Sequence, residues 1–310
     1  MNNNIKIDYI YVKENSIGQR IDNFLIKKFK KISKNVIYTI IRKGRVRINK
    51  KRIKPKYKLK IKDIIRIPPI YTKIKKKKKI NKKYYRNLLN KNILYEDKYL
   101  LAINKPQKIA VHGGSGIKLG IIEIIRILYK LEKNLELVHR LDKDTSGILL
   151  ISKKKFVLKS LHKQMKDRKT KKTYIAAVHG IWPEKIKTIN LPLLKTKKIN
   201  GKNLVIVKKD GKKSKTKFKI KKIFKNFTIL KVYPITGRTH QIRVHTSNVG
   251  FPIINDNRYG NRKLDKKIKI NKNLLCLHAL SISFIHPKTK KKINIKSTKN
   301  NISKILYSIN

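Results

Sequence analysis

The densest chemistry in the chain lies in Val138-His139-Arg140-Leu141-Asp142-Lys143-Asp144-Thr145-Ser146-Gly147. Only 16 of the 310 residues are acidic, yet two of them fall here, beside a histidine and an arginine. The apolar run Ile148, Leu149, Leu150, Ile151 follows at once, so the segment reads as a loop feeding a buried strand. A carboxylate next to a cation at the mouth of a strand can serve as a nucleophile. The same residues also fit a capped turn in which Asp144 and Thr145 satisfy backbone N–H groups. Spacing alone leaves both readings open.

A second constellation is Ile235-Thr236-Gly237-Arg238-Thr239-His240-Gln241-Ile242-Arg243-Val244-His245. Its arginines, histidines and glutamine suit recognition of an anion or a base. His240 and His245 do not have the i, i+4 spacing of a zinc helix, and Cys276 is the single cysteine, so no metal is expected. Both histidines read as structural hydrogen-bonding groups. The loop Val111-His112-Gly113-Gly114-Ser115-Gly116 lacks the Gly-Lys-Ser/Thr ending of a P-loop and the full G-x-G-x-x-G spacing, so it is not read as a nucleotide cradle.

The chain carries 83 Lys and Arg against 16 Asp and Glu, a formal charge of +67. Such self-repulsion points to a polyanionic partner, above all nucleic acid. Lys, Ile and Asn are all heavily used, so AT-rich coding also contributes lysine. Of the 83 cations only 14 are Arg. Several of them cluster in two places, Arg20, Arg42, Arg45, Arg47 and Arg52 in one and Arg140, Arg238, Arg243 and Arg258 in the other. Where drift favours Lys, a retained Arg marks a place that needs a planar, bidentate fork. No apolar run approaches the ~18 residues that span a bilayer, and Met1-Asn2-Asn3-Asn4 does not read as a signal peptide. A lone Cys276 in an apolar stretch fits a reducing compartment. A soluble, cytoplasmic protein is expected.

The elements that must position these residues fall into two blocks. Pro68-Pro69 closes the first, and the run Lys75–Lys79 followed by Asn81-Lys82-Lys83 reads as a solvated linker. The expected division is a small domain over 18–72, a basic linker over 73–90 and a larger domain over 91–305. In the first block, Ile21, Phe24, Leu25 and Phe29 recur at helical spacing, as do Val36, Ile37, Ile40 and Ile41. Ser33 is a candidate N-cap and Gly44 a stop. Val46 and Ile48 alternate with Arg45 and Arg47 as in a strand, and Leu59–Ile67 is strand-like but broken near Asp63. In the second block, strands are expected at Leu100–Asn104, Thr173–Val178 and Phe227–Val232, and a helix at Ile121–Leu131.

Gly18-Gln19-Arg20-Ile21-Asp22-Asn23-Phe24-Leu25 and Ile41-Arg42-Lys43-Gly44-Arg45-Val46-Arg47-Ile48-Asn49 resemble an S4 RNA-binding domain. His139-Arg140-Leu141-Asp142 with Thr145-Ser146-Gly147 resembles the catalytic loop of the large-subunit type of RNA pseudouridine synthases. Tyr174 falls on that family's aromatic position. Gly237–Arg243 matches its third motif, and Leu277-His278-Ala279 with His286-Pro287 its closing strands. Glycine is usual in these families at three positions held here by Lys62, Lys108 and Asn255.

The resemblance covers about the whole chain and implies an α+β fold. A small S4 RNA-binding domain would precede a catalytic domain built on a mixed, mostly antiparallel sheet with flanking helices. It implies that Asp142 is the catalytic nucleophile, that Arg243 pairs with it as counter-ion, and that Tyr174 stacks on the detached base. Arg140 is expected to help displace the target uridine from its stack. Arg238 and His240 join it as RNA-binding candidates, with Arg20, Arg42, Lys43, Arg45, Arg47 and Arg52 in the S4-like block. Turning uridine into pseudouridine breaks N1–C1′ and rejoins the base through C5 without redox change, so no cofactor is expected. The implied partner is large-subunit (23S) rRNA, free or in an assembling large ribosomal subunit, with several uridines modified by a monomer and no membrane involved. A non-catalytic ribosome-assembly factor would share the charge and the S4-like block but leaves Asp142 unexplained. A nuclease or glycosidase would want a second carboxylate, and Asp144 is the only near neighbour.

Overall fold

The computed structural model describes residues 4–5, 8–29, 32–71, 81–114, 119–129, 132, 134–196, 204–268, 274–297 and 302. The chain divides into two compact units, Met1–Ile80 and Asn81–Asn310.

In the first unit, helices Ile21–Lys28 and Lys34–Arg42 pack on a four-stranded antiparallel sheet. Its strand order is Asp8–Tyr11, Ile64–Ile67, Arg47–Ile48, Lys51–Arg52. Ser33 caps the second helix, its hydroxyl accepting the Val36 N–H. That helix buries Ile37, Ile40 and Ile41 against Ile10, Ile48, Ile65 and Ile67 of the sheet. Asn49 and Lys50, at φ +50° and +64°, make the tight hairpin between the two shortest strands. The strand expected from Leu59 begins only at Ile64. Buried Asp63 is the reason: its carboxylate accepts from the Lys60 N–H, Asn49 Nδ2 and Tyr57 hydroxyl at 2.9, 2.9 and 3.0 Å, which ties Lys60–Asp63 into a turn.

The second unit is built on a ten-stranded mixed sheet. Its main path runs Thr188–Ile189, Thr216–Phe224, Phe227–Pro234, Lys171–His179, Leu277–Ile285, Ser146–Ser152, Leu100–Lys105, Ile93–Glu96. Among the described strands only Ser146–Ser152 and Leu277–Ile285 run parallel. They approach so closely at Gly147 that a Cβ there would lie 2.3 Å from the Ala279 carbonyl oxygen, and Gly147 takes φ +109°. Helices Ile121–Leu128, Lys155–Lys166, Gln241–Asn248 and Arg262–Lys267 flank the sheet.

The linker expected over 73–90 needs correction. Lys82–Asn90 is a helix, capped by Asn81 Oδ1 accepting the Tyr84 N–H at 2.9 Å. Tyr85 and Leu89, one turn apart, carry it onto the core of the second unit, an anchoring that the surrounding lysines hide. The run Lys75–Lys79 lies outside the described residues, as do Ser115 and Gly116 of the glycine-rich loop. No described helix is long and apolar enough to cross a membrane.

Candidate active site

The Asp142 loop is clamped from both ends. His139 Nε2 accepts the Leu150 N–H at 3.1 Å, pinning the loop to the strand it feeds. Burial, helped by the nearby Lys172 charge, pushes the His139 pKa down to about 3, which suits an acceptor nitrogen. Beneath the loop, fully buried Lys105 donates to the carbonyls of Pro106, Ile109 and Lys143 at 2.8, 2.9 and 3.1 Å. Burial lowers its pKa to about 7, against the pull of Asp144 and Asp142. The turn itself closes through the Thr145 N–H on the Asp142 main-chain carbonyl at 3.2 Å, which leaves the Asp142 carboxylate free to face the cavity.

Arg243 reaches that carboxylate from the helix Gln241–Asn248, its Nη1 donating to Asp142 Oδ2 at 3.3 Å. The rest of the guanidinium is taken by Asp256. Nε donates to Oδ2 at 2.7 Å and Nη2 to Oδ1 at 2.6 Å, and both side chains are almost fully buried. Burial alone would weaken the charge on Arg243. The fork onto Asp256 and the field of Asp142 outweigh it, so its pKa lies above the ordinary arginine value. Asp256 likewise lies below the ordinary carboxylate value despite burial, because Arg243 and the N–H groups of Arg258 and Tyr259 bond its charged form.

His240 occupies the N-cap position of the Arg243 helix in a left-handed conformation, φ +53°. The Tyr259 hydroxyl accepts the Val205 N–H at 3.0 Å and lies 2.7 Å from His240 Nδ1. The other ring nitrogen, His240 Nε2, lies 3.8 Å from Asp142 Oδ2. Burial pushes His240 down to about pH 4 against the pull of Asp142, so the ring is neutral near pH 7. Gln241 fixes the loop before it: its Oε1 accepts from Thr236 Oγ1 and the Arg238 N–H, and its Nε2 donates to the Lys215 carbonyl and Thr216 Oγ1.

Tyr174 comes from the third wall. Its strand shifts register between Thr173 and Tyr174, so Thr173 pairs with Ser281 while Tyr174 pairs with Ala279, the residue against which Gly147 packs. A bulge of this kind re-aims the next side chain, and Tyr174 lines the cavity with Asp142. Burial and the Asp142 charge raise the pKa of its phenol, which stays protonated.

Together these walls enclose about 380 Å³, within the range of pockets that hold a small molecule or a single flipped base. Asp142, Tyr174, Arg243, Arg140, Arg238 and His240 all line it. Arg140 is exposed, and Arg238 donates from Nε to the Lys213 carbonyl at 3.2 Å. Lys166 and Lys172 line the cavity without having been singled out from sequence, and Asp256, Lys105 and Tyr259 support it from behind. Asp256 had a usable signal, since it is one of only 16 acidic residues; one lysine among so many had none. His245 is structural, with Thr216 Oγ1 and Ser214 Oγ each 2.9 Å away. No cluster of three or more His, Cys, Asp or Glu suited to a metal ion occurs among the described residues.

The six cations expected to meet RNA in the first unit stand apart from this cavity in the chain. Arg20 is tied to buried Asp22, with Nε donating to Oδ1 at 3.1 Å. Arg42 lies over the Tyr38 ring at 5.9 Å. Lys43, Arg47 and Arg52 are exposed around the hairpin, as is Arg45.

Residues 99–248 match the RNA pseudouridylate synthase family, and residues 19–65 match the S4 domain. The chain is 56% identical over 293 residues to the ribosomal large subunit pseudouridine synthase C of Buchnera aphidicola subsp. Schizaphis graminum, covering 93% of each chain. It is 43% identical over 295 residues to the protein of the same name from Escherichia coli K12, covering 94% of this chain and 92% of that one. The solved structure of human RNA pseudouridylate synthase domain containing 4 shares the fold at TM-score 0.57 and 23% identity, over 71% of this chain and 93% of that one.

Proposed function

Because the chain belongs to the RNA pseudouridylate synthase family, we propose that it isomerises uridines of large-subunit (23S) rRNA to pseudouridine, with Asp142 as nucleophile. The observation that carries this reading is the Asp142 carboxylate itself. It is about one-fifth exposed, opens into a base-sized cavity, and is paired with an arginine whose charge is fixed by a second carboxylate.

In the proposed reaction an Asp142 oxygen bonds to C1′ as the N1–C1′ pair leaves with the uracil ring. The freed base turns in place. C5 then attacks C1′, the carboxylate departs, the C5 proton is released, and N1 gains a proton. The overall change is an isomerisation, so atoms and electrons balance without a co-reactant. Arg243 aims the carboxylate and offsets its charge. Tyr174 offers a flat apolar face that keeps the detached ring from escaping. Arg140 and Arg238, at the cavity wall, are suited to holding the phosphates on either side of a flipped nucleotide. The names of the relatives support large-subunit rRNA as the substrate class; several target uridines, a cytoplasmic setting and a monomer complete the proposed reading. The S4-matching unit would supply phosphate contacts through Arg20, Arg42, Lys43, Arg45, Arg47 and Arg52, which position without reading sequence. The division proposed is an RNA-binding unit up to residue 80 and a catalytic unit from residue 81, with a linker shorter than composition suggests.

The test is tritium release from [5-³H]uridine-labelled large-subunit rRNA. Parent protein should release tritium, and Asp142→Asn should release none while binding the RNA as tightly. Product formed by Asp142→Asn would overturn the mechanism. No release by the parent, with RNA binding intact, would favour an assembly factor.

A further inference from the structure

We propose that the open face of the small sheet in the first unit is a stacking platform for unpaired RNA, with Tyr9 and Tyr11 as the platform and a row of arginines as its phosphate rail. Strand pairing sets Tyr9 opposite Arg66, Arg66 opposite Arg47, and Arg47 opposite Arg52. The adjoining row, Ile10, Ile65 and Ile48, is buried under the two helices, so the Tyr9 row faces the other way. Tyr11, two residues on, shares that face. The two tyrosines are 57% and 68% exposed on an edge strand, where large apolar groups are a liability unless something covers them.

Three observations favour a single-stranded polyanion as the cover. Like charges directly opposite one another in a sheet are destabilising, and this row holds three arginines and no carboxylate. In a chain with only 14 Arg, their concentration here marks a need for planar forks that bind phosphate bidentately. Two of the forks are also held in place: Arg66 Nη1 donates to the Arg45 carbonyl at 3.3 Å, and Arg52 lies against Gly44, where a Cβ would come within 2.4 Å of its Nε. A second copy of the chain would bring arginine row against arginine row, so charge disfavours it.

Spacing selects the unpaired form. Same-side residues on a strand are ~6.6 Å apart, about twice the ~3.4 Å rise of a stacked nucleic-acid strand. Both rings can therefore be filled together only by bases drawn out of a continuous stack, as an unpaired loop or flank allows and a duplex does not.

This inference rests on the reading that the unit binds rRNA, and the test keeps the two separable. The full-length protein is titrated with three ligands: a short oligouridylate, an abasic strand of equal length, and a fully paired RNA hairpin. Replacing both tyrosines (Tyr9→Leu with Tyr11→Leu) should weaken oligouridylate binding roughly 10-fold or more and leave the other two unchanged. Tyr9→Phe with Tyr11→Phe should bind like the parent, because the ring and not the hydroxyl is used. Arg66→Gln should weaken all three ligands and lower the salt slope on the single strand by about 0.7. Undiminished oligouridylate binding by the Leu variant, an equal loss on all three ligands, a Phe variant as weak as the Leu one, or a parent dimer that the Leu variant abolishes would each overturn the platform. A parent that isomerises uridine while the Leu variant binds unchanged overturns the platform alone. A parent that binds but does not isomerise overturns the activity reading alone.

Discussion

Arg243 is held more tightly by Asp256 than by Asp142: two hydrogen bonds of 2.7 and 2.6 Å on one side, a single one of 3.3 Å on the other. The buried Asp256 pair fixes where the guanidinium lies, and Asp142 meets a cation already in position. Asp256→Asn should therefore lower single-turnover rate by about 10²-fold, the usual result of a small misplacement, with both residues of the Asp142 pair intact. RNA affinity should be unchanged. Tritium release with enzyme in excess over rRNA checks the first part and a binding titration the second; a parent-like rate would show that Arg243 needs no such support.

Lys105 joins two segments of the site by donating to three main-chain carbonyls. Lys105→Met keeps the stem but strands those acceptors, at a cost of about 1–3 kcal/mol. The urea midpoint should fall accordingly, and turnover should drop more than RNA affinity because the Lys143 carbonyl sits next to Asp142.

The three positions where related families usually carry glycine, Lys62, Lys108 and Asn255, all have left-handed backbones at φ +66°, +64° and +60°. The conformation has outlasted the residue that adopts it most easily. Lys62→Gly and Lys108→Gly should each stabilise the fold by about 0.5–1 kcal/mol, read from denaturant midpoints. Asn255→Gly should gain little or nothing, because Asn tolerates this region and its Nδ2 bonds the Leu274 carbonyl at 3.2 Å.

Burial depresses His139, His240 and His278 to about 3, 4 and 4. Each binds its proton less readily folded than unfolded, so the neutral forms contribute stability that is present above about pH 6.5 and lost as pH falls from there toward 4. Urea midpoints measured from pH 7 to 4 should decline across that window. Replacing His278 by Gln should flatten the decline; a pH-independent midpoint would contradict the burial of these rings.

Much of this was legible in the residues. Ser33 and the spacing of Val36, Ile37, Ile40 and Ile41 give the second helix, and Asp142 and Arg243, 101 positions apart, meet as the resemblance implies. Asp256 was hidden because nothing local marks a carboxylate as a partner of Arg243; its only sign was rarity. Lys105 was hidden by abundance, since among 69 lysines a buried one looks like the rest. The bulge at Tyr174 leaves no trace in periodicity, and the helix Lys82–Asn90 was masked by a composition that reads as linker until Tyr85 and Leu89 are seen on one face.

The strand Leu277–Ile285 lies at the centre of the large sheet, between Lys171–His179 and Ser146–Ser152, yet follows both by about a hundred residues or more. During synthesis the first unit can emerge and close on itself early, since its two helices and four-stranded sheet pair and pack within its own 80 residues. The two halves of the catalytic sheet have nothing to join them until that late strand arrives. A chain still on the ribosome can thus be tethered to RNA by its leading unit well before it can act on any uridine.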